Sequence, residues 1–227
     1  MRRASVLVLL LTGLGVVLAF AEIPPDLLQR ANAGDIRAEV EVGNRYAIGK
    51  DVRRDSDRAM DWFRKAADKG DREGQYRLAV MYDVGHINAQ DPITAIQWYT
   101  KSAKQGFPEA ESRLGAMYEL GRGVKADYVQ AARWYIRAAE HGRPEAQVKS
   151  ASFYEAGQGG LPQDYRLAAK WYLLAAQAGR PEAEYKIGYL YERGLGVPQN
   201  RDQAIDWYIK SKDHGYGPAG EALRALQ

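Results

Sequence analysis

The five tryptophans of the chain stand at Trp62, Trp98, Trp134, Trp171 and Trp207, separated by 36, 36, 37 and 36 residues, and each is followed by Phe or Tyr. A fixed period of roughly 20 to 50 residues marks a solenoid, in which one supersecondary unit that cannot bury its own apolar face is stacked on copies of itself. Residues 107–142, FPEAESRLGAMYELGRGVKADYVQAARWYIRAAEHG, display the unit. Pro108, after Gly106, opens a first helix, and Pro144, Pro181 and Pro218 repeat that signal. Ala110, Leu114 and Tyr118, with Met117 beside them, form one apolar stripe at helical period, which Gly121 ends. A second helix then carries Ala131, Trp134, Tyr135 and Ala138.

Two further columns obey the period. Asp55, Asp91, Asp127, Asp164 and Asn200 each stand seven residues before a tryptophan and are predicted N-caps of the second helices. Gly43, Ala79, Gly115, Ala151 and Gly188 follow the stripe residue, and Ala59, Ala95, Ala131, Ala168 and Ala204 stand three before each tryptophan, which predicts close helix contacts at both. The one break in the period is a single extra residue in the turn Gly157-Gln158-Gly159-Gly160, a position where a loop tolerates insertion.

The pattern A-x-x-x-L-G-x-x-Y-x-x-G-x-G-V, then D, then A-x-x-W-Y-x-x-A-A-x-x-G resembles the Sel1-like repeat, a longer-looped relative of the tetratricopeptide repeat. Here it reads Ala110, Leu114-Gly115, Tyr118, Gly121, Gly123-Val124, Asp127, Ala131, Trp134-Tyr135, Ala138-Ala139 and Gly142. The second copy departs from it with Leu78-Ala79 and with Gly85-His86-Ile87-Asn88 in its turn, and the fourth with Ser150-Ala151. The resemblance implies an all-α fold: a right-handed superhelical solenoid of antiparallel helix pairs. The expected organisation is a signal peptide over 1–21, an N-terminal capping helix over 22–34, repeats over 35–70, 71–106, 107–142, 143–179 and 180–215, and a C-terminal capping helix over 216–227.

The signal is read from Met1-Arg2-Arg3, the apolar run from Val6 to Leu18, and Ala19-Phe20-Ala21, an A-x-A cleavage pattern. The run is shorter than the ~20 residues that a membrane helix needs, so no stable membrane insertion is expected after cleavage, and the product is expected to be periplasmic or secreted. Removing Arg2 and Arg3, with no acid, lowers the formal charge from +3 to +1. A near-balanced chain lacks the electrostatic footprint that phosphate binding demands, and nucleic acid is not an expected partner. With no cysteine there is no disulfide framework, so packing alone must hold the fold.

No catalytic motif stands out. His141 and His214 share a column before the helix-ending glycine, but lie two repeats apart, too far for one metal; their place near a helix C-terminus accounts for them. The chain has no H-E-x-x-H, S-x-x-K, G-x-S-x-G or G-x-x-x-x-G-K, and no cofactor is expected.

The informative positions lie opposite the apolar stripe of each first helix. With Leu114 at zero and ~100° per residue, Ser112, Ala116 and Glu119 fall at about 160°, 200° and 140°. In the family that the resemblance implies, this side lines the concave groove of the superhelix. The expected partner-binding residues are Tyr76, Val80, Asp83, Ser112, Glu119, Val148, Glu155, Tyr185, Tyr189 and Glu192. The tyrosines read as exposed hot-spot candidates. The acids read either as a solvated face paired with lysine or arginine or as a contact column, since acids late in a helix oppose its dipole. Lys65, Lys101 and Arg137 read as outward charges complementing the dipole of the second helices. The expected function is an exported scaffold or regulator that holds a protein or peptide in this groove, as adaptor, inhibitor or immunity protein. The competing expectation is a cell-envelope enzyme acting on peptidoglycan or β-lactam-like substrates.

Overall fold

The computed structural model describes residues 22–85 and 90–226. The signal peptide expected over 1–21, the second-copy turn containing His86, and Gln227 lie outside the described residues. The described residues form helices and turns only. They divide into two compact units, residues up to Gln105 and from Gly106 onward.

Unit 1 holds α1 (Pro25–Asn32), α2 (Ile36–Ile48), α3 (Ser56–Asp68), α4 (Arg72–Val84) and α5 (Pro92–Lys104). Unit 2 holds α6 (Pro108–Leu120), α7 (Tyr128–Glu140), α8 (Pro144–Ala156), α9 (Tyr165–Gln177), α10 (Pro181–Arg193), α11 (Arg201–Asp213) and α12 (Gly217–Ala225). In each unit a first helix packs on its second helix, and the second helix on the next first helix.

The helix ends follow from the columns read above. The side chains of Asp55, Asp91, Asp127, Asp164 and Asn200 each accept a hydrogen bond from a backbone amide in the first turn of their second helix. The first helices α2, α4, α6, α8 and α10 all close on a left-handed glycine, at Gly49, Gly85, Gly121, Gly157 and Gly194. At Gly159 glycine is needed twice over: its φ is +65°, and an added Cβ would lie 2.6 Å from the Tyr128 carbonyl oxygen at the start of the preceding second helix.

The core runs between first and second helices. A Cβ built on Gly43 would meet the Phe63 ring at 2.6 Å, one on Gly115 the Tyr135 ring at 2.7 Å, and one on Gly188 the Tyr208 ring at 3.0 Å. The small column therefore marks where an aromatic ring of the second helix closely approaches the first helix. That ring belongs to the residue after each tryptophan: Phe63, Tyr99, Tyr135, Tyr172 and Tyr208 are all buried. Burial of a side chain of that size contributes about 1.5–3 kcal/mol each. The tryptophans themselves are only half-buried. Trp171, for example, packs against a cluster formed by Ala131, Ala132 and Tyr135 of the preceding repeat and Phe153 of its own. The tryptophan therefore covers the stacking seam, and its neighbour fills the core.

A polar seam also repeats with the period. Glu39, Gln75, Glu111, Gln147 and Glu184 are buried in the first helices. Lys69 reaches Glu39 at 2.7 Å, Gln105 reaches Gln75 at 2.8 Å, and the Nδ1 atoms of His141 and His214 lie 2.7 and 2.8 Å from Glu111 and Glu184. Against a carboxylate that Nδ1 must carry the proton, so both imidazoles donate. Arg137 adds a guanidinium 3.1 Å from Glu111. A buried carboxylate costs several kcal/mol unless paired, which is why the partner column at the end of the second helix holds lysine or histidine wherever the seam residue is glutamate. In the fourth copy that column holds Ala178, and Gln147 donates to the Ala139 carbonyl instead.

Candidate functional site

The ten predicted contact residues lie on the first helices, Tyr76, Val80 and Asp83 in unit 1 and the other seven in unit 2. Within unit 2, α8 and α10 bring together Val148, Glu155, Tyr185, Tyr189 and Glu192, while Ser112 and Glu119 stand on α6. The tyrosines are half-buried, not fully exposed as expected: Tyr76 and Tyr185 lean on other rings, and Tyr189 packs against the cluster around Tyr172. Tyr76 lies 5.8 Å from Tyr99 between ring centroids. Tyr185 sits between Tyr208 at 5.5 Å and Tyr216 at 5.4 Å, and Tyr189 carries the Arg193 guanidinium over its ring at 5.8 Å. Such tilted pairs contribute about 0.5–1.5 kcal/mol beyond their burial and hold the rings in place.

The acids have internal partners. The hydroxyls of Tyr135, Tyr172 and Tyr208 donate to Glu119, Glu155 and Glu192 at 2.7, 2.7 and 2.8 Å, and Tyr99 donates to buried Asp83 at 3.4 Å. Burial, then the adjoining carboxylate, pushes the phenols of Tyr135, Tyr172 and Tyr208 far above their ordinary range, so each remains a donor. Lysines from the following first helix complete two of the sites: Lys149 reaches Glu119 at 2.9 Å and Lys186 reaches Glu155 at 3.1 Å. In the first repeat the buried ring is Phe63, which has no hydroxyl, and the acid position holds Ala47. The carboxylate is present in the four repeats that have a tyrosine to receive and absent in the one that does not. That correlation, legible in the sequence as a spacing of 16 or 17 residues, assigns the acids first to positioning the core tyrosines.

The cations Lys65, Lys101 and Arg137 are exposed and lie over the faces of Trp62, Trp98 and Trp134 at 3.8, 3.7 and 5.0 Å. They shield half-buried rings as well as complementing helix ends. A cleft of about 620 Å³ in unit 1, lined by Glu22, Tyr46, Asp51, Arg53, Arg54 and Arg58 among others, contains none of the predicted contact residues. The described residues hold no cluster of three or more His, Cys, Asp or Glu suited to a metal ion, and no helix long and apolar enough to cross a membrane.

Comparison with known proteins agrees with the architecture. The Sel1 repeat profile matches residues 36–71, 72–107, 108–142, 144–179 and 181–216. Over 88% of its length the chain is similar in structure to c5321, a protective antigen of uropathogenic Escherichia coli with an SLR fold, with a TM-score of 0.83 and 38% identity. It is similar over 88% of its length to a Sel1 repeat protein from Oxalobacter formigenes, with a TM-score of 0.80 and 30% identity, covering 82% of that chain. It is 37% identical over 68 residues to the secretory immunoglobulin A-binding protein EsiB of E. coli O6:H1. The chain spans 43% of the c5321 structure and 14% of EsiB. With five matched repeats covering most of its residues, the chain belongs to the Sel1 repeat family.

Proposed function

We propose that this protein is an exported, periplasmic or secreted scaffold that binds a protein or peptide partner on the faces of its first helices. The observation that carries the reading is a set of half-buried first-helix tyrosines, Tyr76 in unit 1 and Tyr185 and Tyr189 in unit 2, pre-positioned by ring and cation contacts and left partly open. Tyrosine supplies apolar area and a hydroxyl at low ordering cost, and is enriched where interfaces concentrate their energy. In unit 1 Val80 shares α4 with Tyr76, and Asp83 receives the Tyr99 hydroxyl; in unit 2 Ser112 and Val148 stand on α6 and α8, and Glu119, Glu155 and Glu192 receive the hydroxyls of Tyr135, Tyr172 and Tyr208. Since those acids already have partners, contacts by the tyrosines outweigh any salt-sensitive attraction of a basic segment. A relative named for binding immunoglobulin A supports a protein as the class of partner, and adaptor, inhibitor and immunity roles all fit that chemistry.

The test is affinity capture from an envelope extract followed by calorimetry with the captured protein. Tyr185→Ala or Tyr189→Ala should weaken binding by more than about 1 kcal/mol. Unchanged affinity in both would remove the first-helix face as the site. Export is tested by the intact mass of the secreted product: the A-x-A pattern places its first residue at Glu22, and a mass retaining residues 1–21 would contradict that.

A further inference from the structure

The second helices expose an edge beside the tryptophan, and in one of them that edge has changed character. Three residues after the tryptophan the chain places Lys65, Lys101, Arg137 and Lys210, but in α9 it places Leu174. Four residues before it stand Arg58, Thr94, Gln130 and Gln203, but in α9 Leu167. Seven after it, where other repeats carry the polar partner of the buried seam, α9 is followed by Ala178. At ~100° per residue, with Trp171 at zero, Leu167, Leu174 and Ala178 fall at about −40°, −60° and −20° and so form one continuous stripe with the ring. Leu167 and Leu174 are 36% and 38% exposed. The stacking of the repeats does not account for them, because the other second helices stack equally well with polar residues there.

The charges around the stripe are equally unlike the rest of the chain. The position before the tryptophan is Asp61, Gln97 and Asp206 in three repeats, but Arg133 on α7 and Lys170 on α9. Arg166 adds a third exposed cation, and α9 contains no carboxylate from Tyr165 to Gln177. Arg133, Arg166 and Lys170 make no ion pair among the described residues; Lys170 lies 5.4 Å from the Trp171 ring. An apolar helical stripe bordered by uncompensated cations is the complement of a helix with apolar residues one and two turns apart and carboxylates beside them.

We propose that the outer edge of α9 is a second docking surface, which takes an acidic amphipathic helix of a partner protein. It stands apart from the first-helix face, sharing no residue with it, and rests on its own observations.

The full chain is tested with a fluorescently labelled synthetic helix of about 15 residues, long enough to hold helical structure, carrying leucines at i, i+4, i+7 and i+11 with flanking glutamates. A matched peptide replaces the glutamates by lysines, and phosphatidylglycerol vesicles form a third arm. The glutamate peptide should bind at least about tenfold more tightly than the lysine peptide. The double variant Leu167→Ser/Leu174→Ser should lose about tenfold in affinity for it, and Arg133→Glu/Lys170→Glu should reverse the preference between peptides. Tyr185→Ala should leave both affinities unchanged, which separates failure here from failure of the first-helix reading. All of these changed side chains on α7 and α9 are exposed, so the variants should retain the far-ultraviolet circular dichroism of the parent. Equal binding of the two peptides, wild-type affinity in both double variants, or vesicle association abolished by Leu167→Ser/Leu174→Ser without peptide discrimination would each overturn the proposal, the last in favour of an anionic membrane surface.

Discussion

A phenol that donates to a carboxylate inside a core resists ionisation for two reasons: water is excluded from the phenolate, and the neighbouring negative charge repels it. Tyr135, Tyr172 and Tyr208 are all in this position. Their folded-state pKa values are raised, so folded protein keeps protons that the unfolded chain releases near the ordinary tyrosine value of about 10. The stability that they contribute is therefore fully present below that pH and is lost as pH rises beyond it. Titration of phenolate absorbance should show these tyrosines ionising only as the chain unfolds, and urea midpoints should fall steadily above about pH 10. Free titration of all 15 tyrosines in the folded state would contradict the geometry. Tyr172→Phe should cost about 0.5–1.5 kcal/mol, the net worth of one hydrogen bond, because Phe63 at the same register shows that the bare ring fits and Lys186 remains to neutralise Glu155. Urea denaturation of the variant measures it.

At the scale of the helix pair, the close approach at the small column decides stability more than the tryptophan does. Tyr135→Ala should cost about 3–5 kcal/mol, and Trp134→Ala less, because Tyr135 is buried and Trp134 is not. Gly115→Ala should cost about 1–3 kcal/mol, since the added carbon would press 2.7 Å from the Tyr135 ring. Thermal melts of the three variants give the ranking, and an equal loss from Trp134→Ala and Tyr135→Ala would mean that the tryptophan fills the core as much as its neighbour does. The helix pair was largely legible in the sequence because caps, prolines and small residues act locally and recur at fixed spacing. Which member of each aromatic pair is buried was not legible: adjacent residues differ by ~100° on a helix, and only the position of the facing glycine fixes which one meets it. The acids at Asp83, Glu119, Glu155 and Glu192 were visible as a column, but their partners lie on another helix. The missing signal was the coincidence of Ala47 with Phe63. The seam was hidden in the same way, since Glu111 and His141 are 30 residues apart and pair only once the helices fold back.

For the molecule as a whole, repetition means that each helix is stabilised by the helices next to it and not by a common centre, so damage should stay local. Tyr172 offers the clearest test. Its cluster comprises Ala151 from α8, Ala168, Ala169, Ala175 and Ala176 from α9, and Ala183, Ile187 and Leu190 from α10, all within unit 2. Tyr172→Ala should leave a cavity there and lower the free energy of local opening for α8 to α10 by about 3–5 kcal/mol. Two clusters of unit 1, around Leu27 and Val42 and around Phe63 and Leu78, contain no residue of that set. Hydrogen exchange followed by mass spectrometry on peptides spanning α2 to α4 should therefore match the parent, while peptides spanning α8 to α10 exchange faster by two or more orders of magnitude. Equal acceleration in both sets would mean that the chain opens as one cooperative block. The nearest-neighbour account would then fail, and with it the expectation that binding-surface variants at Tyr185 and Tyr189 leave α2 to α4 undisturbed.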